Sequence, residues 1–446
     1  MMKINFKKYD AYKNSMVEWI GDIPVEWKLI RNKDIFEERG TLSTFGTETL
    51  LTISHITGVT RRTEKNVNMF MAETMKGYKL CEKGDLVINT MWAWMGALGT
   101  SNENGICSPA YGVYKPKKGV QYSYRYFDYL YRTPNFIIEM TKNSKGIVSS
   151  RLRLYPREFF QIKTALPSYE TQKAITDYLD TKTAQIDHKI DLLTQKATKY
   201  SELKQSLINE TVTHGLNKTV AMKDSGVEWI GEVPEDWVLK QFKQISTMKG
   251  RIGWQGLKHS EFIDEGPFLI TGMNFKGGRI NWDDVYHISN ERYKQAPEIQ
   301  LKDNDVLMTK DGTIGKLLYV EDIPAPHKAS LNSHLLVLRP IKKSYHPKYI
   351  FYQLDSLVFR HYIELVKMGT TFFGISQESV GQYIAVIPPL KEQQAIADYL
   401  DNKTAHIDRI IETINTQIHK LRELRKTLIN DVVTGKIKVA GEGESA

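Results

Sequence analysis

The sequence predicts an α+β protein: two mixed α/β domains separated by two long coiled-coil helices, all on an internal pseudo-twofold repeat. Three observations predict it. A short tryptophan motif occurs twice, a 42-residue striped segment occurs twice, and the stretches between these repeats are unlike one another. The implied spans are residues 1–165 and 217–388 for the two domains, 166–216 and 389–436 for the helices, and 437–446 for a tail.

Self-similarity is the first thing to look for. Ser15 to Leu29 reads SMVEWIGDIPVEWKL, and Ser225 to Leu239, 210 positions later, reads SGVEWIGEVPEDWVL. Gln172 to Thr213 matches Gln393 to Thr434, 221 positions later, with 21 identities in 42 positions and no gap. The second half therefore carries 11 extra residues between its repeated pieces. Residues 30–165 and 240–387 share only scattered echoes, such as EKGDLVINT against LKDNDVLMT and Arg125-Tyr126 against Lys348-Tyr349. A duplicated frame does one job twice, while each insert does its own.

The 42-residue repeats read as helices. Ile186, Ile190, Leu193, Ala197 and Tyr200 fall at 4-3-4-3 spacing, and Leu207 continues the series. Ile407, Ile411, Ile414, Ile418 and Leu421 do the same, with Leu428 beyond. A stripe this narrow is a coiled-coil seam. Neither segment contains Gly or Pro, and at 1.5 Å per residue each runs to roughly 60 Å. Pro167 and Pro388-Pro389 precede the helices, and the glycines of HGLNK and TGKIK end them. The inserts are rich in aromatic and β-branched residues, with turns at Lys276-Gly277-Gly278 and Asp311-Gly312. They read as mixed strands and helices, but alternation is too weak to give a topology.

Charge separates frame from inserts. The chain carries +9 with a pI near 9.1. Each repeated helix holds six basic and six acidic residues, whereas residues 30–165 hold 20 against 12 and residues 240–387 hold 19 against 15. Two basic, aromatic-rich inserts on a neutral scaffold point to a polyanion bound at two stations. The longest apolar stretch, Leu86 to Gly99, is too short to span a bilayer. MMKINFKKYD lacks a signal-peptide core, and Cys81 and Cys107 alone build neither a disulfide framework nor a four-thiolate zinc site. The expected setting is cytoplasmic, without a membrane.

Catalytic patterns are missing. DGTIGKLL places Gly312 and Gly315 too close together for a phosphate loop, with Leu317 where the hydroxyl belongs. Pro388-Pro389 lacks the preceding Asn or Asp and the following aromatic of an amino-methyltransferase loop. Asp180-Thr181-Lys182 and Asp401-Asn402-Lys403 mimic part of a nuclease pattern but fall on the expected helices. The 11 histidines form no His-Glu-x-x-His helix. No catalytic residue and no metal ligand is assigned.

The arrangement resembles the specificity subunit of type I restriction–modification enzymes. The residues that carry it are VEWIG with its following Pro and Trp (Val17 to Trp27, Val227 to Trp237) and the two helices. Those helices begin AI-x-DYLD at Ala174 and Ala395 and end LIN-x-x-V-T at Thr213 and Thr434. The resemblance implies that each insert is a target recognition domain reading half of a bipartite double-stranded DNA site. It also implies that the helices pair antiparallel and hold the domains apart. Two methyltransferase subunits would dock on the scaffold, with restriction/motor endonuclease subunits beside them. S-adenosylmethionine, ATP and magnesium would belong to those partners, and this chain would bind no cofactor. The rival reading is a structural coiled-coil adaptor that binds two proteins and reads no DNA.

Base reading uses Arg or Lys on guanine, Asn or Gln on adenine and apolar contact with thymine methyls. In the first insert the candidates are Lys142, Lys145, Ser149, Ser150, Arg151, Arg153 and Tyr155, with Asn89, Trp92 and Trp94 in a second string. In the second insert they are Lys367, Thr370, Thr371 and Phe372, then Lys249, Arg251, Trp254 and Gln255, and finally Asn274, Lys276, Arg279 and Lys310. The VEWIG segments read as scaffold or partner-docking surface.

Overall fold

The structure, a computed structural model, describes residues 7–65, 73–148, 151–251, 256–276, 278–367 and 374–439. Two long helices, Tyr169–His214 and Leu390–Val433, carry the repeat. The chain divides into two compact units: Met1–Leu193 with Thr416–Ala446, and Thr194–Asn415. Each unit thus holds one insert and parts of both helices.

In the first unit the beginning of the first helix lies with the end of the second. Ile175, Leu179 and Ile186 share a core with Leu428, Val432 and Val433. In the second unit the end of the first helix, at Ile208 and Val212, shares a core with Ile396 and Leu400 near the start of the second. Beginning with end in one unit and end with beginning in the other makes the helices antiparallel. The seam spacing is visible in burial: Ile407, Ile414, Ile418 and Leu428 are buried, and Ile186, Ile190, Leu193, Ala197, Tyr200, Leu207, Ile411 and Leu421 are half-buried. Gly215 (φ +74°) and Gly435 (φ +77°) terminate the helices in the left-handed conformation that a side chain resists.

The tryptophan motif folds as a hairpin whose turn is VEWIG. Strands Tyr12–Asn14 and Asp22–Pro24 pair antiparallel in the first unit, and Met222–Asp224 and Glu232–Pro234 do so in the second. The next Trp, Trp27 or Trp237, is fully buried. A Cβ on Gly435 would lie 3.2 Å from the Trp27 ring, and one on Gly215 would lie 3.0 Å from the Trp237 ring. Each hairpin therefore packs on the end of the helix belonging to the other repeat. The ends of each insert are then zipped together: Lys28–Arg31 pairs with Lys163–Leu166, and Val238–Gln241 pairs with Ile384–Ile387.

The two inserts share a sheet that their sequences scarcely reveal. In the first, an antiparallel four-stranded sheet runs in the order Phe36–Glu38, Tyr111–Pro116, Leu86–Asn89, Leu98–Thr100. In the second the order is Ser246–Gly250, Leu335–Pro340, Val306–Thr309, Leu317–Tyr319. Every residue of Leu86–Asn89 and Val306–Thr309 is buried. A strand covered on both faces reads as an unbroken apolar run, which is why alternation gave no topology.

A buried carboxylate precedes each of these central strands. Asp85 accepts from Arg39 Nε at 2.5 Å and Nη2 at 2.9 Å, and from the Glu82 amide at 2.7 Å. Asp305 accepts from Arg339 Nε and Nη2, both at 2.6 Å, and from the Lys302 amide at 2.8 Å. The bidentate fork satisfies both oxygens, which a buried carboxylate requires. Beyond the shared sheet the inserts differ. The second adds a three-stranded sheet of Tyr286–His287, Ile263–Ile270 and Ala329–Leu331 with its own core, whereas the first adds two small pairs around Cys81 and Cys107. Among the described residues no helix is long and apolar enough to cross a membrane.

Candidate nucleic-acid interface

In both units the end of the central strand is where the later part of the insert hooks on. The Leu154 amide donates to the Thr90 carbonyl at 3.0 Å, and the Ile375 amide donates to the Lys310 carbonyl at 2.7 Å. This equivalence brings together strings that were separate in sequence. In the first insert the Asn89–Trp92 turn meets the segment around Lys145–Tyr155. In the second, Lys310-Asp311 meets Gly374-Ile375.

The first of these sites is built on a tight hairpin. Lys145 and Arg153 exchange both backbone hydrogen bonds at 2.8 Å, and the Arg151 amide donates to Val148 at 2.9 Å. Lys145, Arg151, Arg153 and Tyr155 are exposed, whereas Leu154 between them is buried in the core. Among the described residues no carboxylate pairs with Lys145, Arg151 or Arg153. Lys142 lies apart, bonded to Glu18 at 2.7 Å. Each raises the other's charged state: the lysine is held above its ordinary range and the carboxyl below its own. Ser149 and Ser150 lie outside the described residues. Trp92 is half exposed, while Trp94 is half-buried with its indole N–H donating to Met91 at 3.0 Å. Asn89 is buried, and its Oδ1 accepts from the Met91 amide, holding the turn.

The second insert places its candidates more widely. Lys310 is half-buried at the strand end. Its neighbour Asp311 is bonded to His334 at 2.5 Å, a pair 23 positions apart that sequence order gives no means of finding. Lys249 and Arg279 are exposed, Lys276 is 3.9 Å from Asp284, and Lys367 bonds Glu364 at 2.5 Å. Two candidates lie inside the unit instead. Arg251 is buried, donating to the Leu331 carbonyl at 2.8 Å and Ser330 Oγ at 3.1 Å, and burial beside Arg292 pulls its pKa down to about 10. Asn274 is buried too, accepting from Thr271 and donating to the Asp284 carbonyl at 2.5 Å, so it organises a turn. Trp254, Gln255, Thr370, Thr371 and Phe372 lie outside the described residues.

The acids that mimic a nuclease pattern tie helices to inserts. Asp180 accepts from Tyr129 at 2.8 Å and pairs with Arg125 at 2.6 Å. Asp401 accepts from Tyr352 at 2.5 Å and pairs with Lys348 at 2.8 Å. Among the described residues no cluster of three or more His, Cys, Asp or Glu is arranged to hold a metal ion.

Set beside known proteins, residues 24–197 and 234–420 match the model of the type I restriction modification DNA specificity domain. The chain belongs to that family. The specificity subunit of the type I restriction enzyme MjaVIII from Methanocaldococcus jannaschii is 26 % identical over 287 residues, 63 % of this chain and 63 % of that protein. The match thus spans less than two thirds of that relative's length. The EcoBI specificity subunit of Escherichia coli is 21 % identical over 330 residues, 73 % of this chain and 68 % of that one. Two solved structures share this fold. A chain from work on complex assembly and conformational transition of the type I R-M system aligns over 92 % of this chain and 98 % of its own, with a TM-score of 0.71 and 16 % identity. The HsdS subunit from Thermoanaerobacter tengcongensis aligns over 93 % and 98 %, with a TM-score of 0.52 and 15 % identity. The antiparallel helices and the paired mixed domains are therefore features of a known fold.

Proposed function

We propose that this chain is the non-catalytic DNA-specificity subunit of a type I restriction–modification complex, reading one half of a bipartite site with each insert. The observation that carries the reading is the hook at the end of each central strand: equivalent backbone bonds at Thr90 and Lys310, with Lys145, Arg151 and Arg153 exposed beside the first. Cations unpaired among the described residues suit phosphates, and the adjoining turn would then meet base edges.

Two copies of a methyltransferase subunit fit the duplicated frame. In the first unit a groove of about 840 Å³ is lined by Glu18, Trp19, Asn135 and Leu428. In the second a groove of about 540 Å³ is lined by Glu228, Trp229, Val358 and Asn209. Both use the Glu-Trp of VEWIG, a helix late in the insert (Pro134–Asn143 in the first, Leu357–Val366 in the second), and the end of a long helix. The adenine-methylating chemistry, S-adenosylmethionine, ATP and magnesium belong in this reading to the methyltransferase and endonuclease partners, in the cytoplasm. The test is a comparison of the purified chain with the chain co-expressed with its cognate methyltransferase subunits. The complex is expected to methylate adenine at a split site, and the chain alone to transfer no methyl group. Methyl transfer by the chain alone, or a complex without salt-sensitive DNA binding, would overturn the proposal; the latter outcome favours the adaptor.

A further inference from the structure

Ile147 is fully exposed, at 104 % of its reference surface, and Val148 beside it is half exposed. Two adjacent bare aliphatic side chains forgo the stabilisation that burial would give, which a partner with an apolar floor would recover. The base of their loop is closed by the paired Lys145 and Arg153 backbones, and a Cβ on Gly146 would lie 2.8 Å from the Arg151 carbonyl, so the two arms run close together. Leu154 anchors the far arm in the core and to Thr90. Ile147 and Val148 are therefore carried on a paired stem and flanked in sequence by Lys145, Arg151 and Arg153. Lys142, neutralised by Glu18, does not add to that charge.

We infer that Ile147 and Val148 enter the DNA major groove and contact the 5-methyl group of one thymine in the half-site read by the first insert. The inference rests on the DNA-reading function proposed above. Charge selects the occupant: three unpaired cations around an apolar tip suit a surface with anionic walls and an apolar floor. In the major groove the apolar group on a base edge is the thymine methyl. The cations then take phosphates on either side, which fixes the tip's position without reading sequence. The backbone pair of Lys145 with Arg153 and the Leu154 bond to Thr90 fix where the described arms of the loop start and end.

The experiment uses the full chain assembled with its methyltransferase subunits, on duplexes carrying the site found by methylome mapping. Each thymine of the first half-site is replaced in turn by deoxyuridine, which removes only the methyl group. The unaltered complex should bind about fourfold more weakly at one such position, the value of one buried methyl. The variant I147A/V148A should bind the thymine site several-fold more weakly and show no further loss with deoxyuridine at that position. The inference is overturned if variant and parent lose the same factor at every deoxyuridine, as a wedge between base steps would give. It is equally overturned if the half-site contains no thymine, or if the variant's defect is in assembly with the methyltransferase. A parent complex that binds no DNA would instead remove the function proposed above, and that outcome is distinguishable.

Discussion

Lys204 and Arg425 hold the same place in the two repeats, 221 residues apart, and each pairs with an aspartate that is itself duplicated. Lys204 Nζ is 2.7 Å from Asp408, and Arg425 Nε is 3.0 Å from Asp187. Asp187 and Asp408 are also 221 apart. Antiparallel helices that carry the same sequence produce such reciprocal contacts, each repeat's cation meeting the other's carboxylate. Both cations sit where the 4-3 series would place an apolar residue, between Tyr200 and Leu207 and between Leu421 and Leu428.

These ion pairs are partly exposed, so each is worth little alone. Replacing Lys204 or Arg425 with Ala is expected to lower stability by about 0.5 kcal/mol. Replacing the buried Ile414 or Ile418 with Ala should cost roughly 2–4 kcal/mol. Denaturant unfolding of the four variants checks the ranking. If an ion-pair variant is the most damaging, the seam is held by charge and not by burial.

The buried glutamines at the helix starts predict a larger effect of hydrogen bonding. Gln172 accepts from the Ser123 amide at 2.9 Å and donates to the Pro167 carbonyl at 3.1 Å. Gln393 accepts from the His346 amide at 2.7 Å and donates to the Pro388 carbonyl at 2.8 Å. Changing Gln393 to Leu deprives two backbone groups of their partner, and changing Gln172 deprives the equivalent two and the Gln121 carbonyl as well, at about 1–3 kcal/mol for each group. Thermal unfolding should show losses in both Gln172→Leu and Gln393→Leu, since two of the contacts are repeated. A neutral result in both would mean water replaces the amide at no cost.

Asp85 predicts a pH dependence. Burial pushes its carboxyl above the ordinary range, while Arg39 opposes the shift. An acid whose folded pKa is raised binds its proton more tightly when folded, so its contribution is fully present at low pH and is lost as pH rises through the folded value. Arg39→Gln removes the opposing cation and should steepen that loss, by roughly 3–5 kcal/mol once the carboxyl is ionised and uncompensated. Denaturation midpoints between pH 4 and pH 8 should fall further in the variant than in the parent. Parallel profiles would show that Arg39 does not compensate Asp85.

Lys145, Arg151 and Arg153, unpaired among the described residues, predict a salt signature. Replacing Lys145, Arg151 or Arg153 singly with Ala should weaken DNA binding by the assembled complex similarly on all sequences. Each should reduce the slope of log affinity against log salt by about 1. A change of preferred sequence with an unchanged slope would mark that residue as a base reader instead.

How much of this was legible depended on whether the signal was a spacing or an environment. The seams were legible because a 4-3 pattern survives even with Lys204 and Arg425 set into it. The doubled VEWIG was legible as identity, but not the packing of each hairpin on the other repeat's helix end, which needs the fold to be closed. The shared sheet was hidden because Leu86–Asn89 and Val306–Thr309 are buried on both faces and have no period of two. Arg251 and Asn274 carry side chains suited to DNA, yet sequence shows residue type and not burial. Ile147 is hidden for the opposite reason: an isoleucine reads as core in a sequence, and its full exposure belongs to the fold.

The central claim is that two inserts on a duplicated frame read two half-sites independently. The paired strands Lys28–Arg31 with Lys163–Leu166 give the exchange points, so residues 32–162 can be replaced by the corresponding insert of another family member. The decisive measurement is the methylome of cells producing this chimera with the cognate methyltransferase subunits. A new first half-sequence beside an unchanged second half-sequence is the predicted result; a change in both, or in neither, from an active complex would contradict the account.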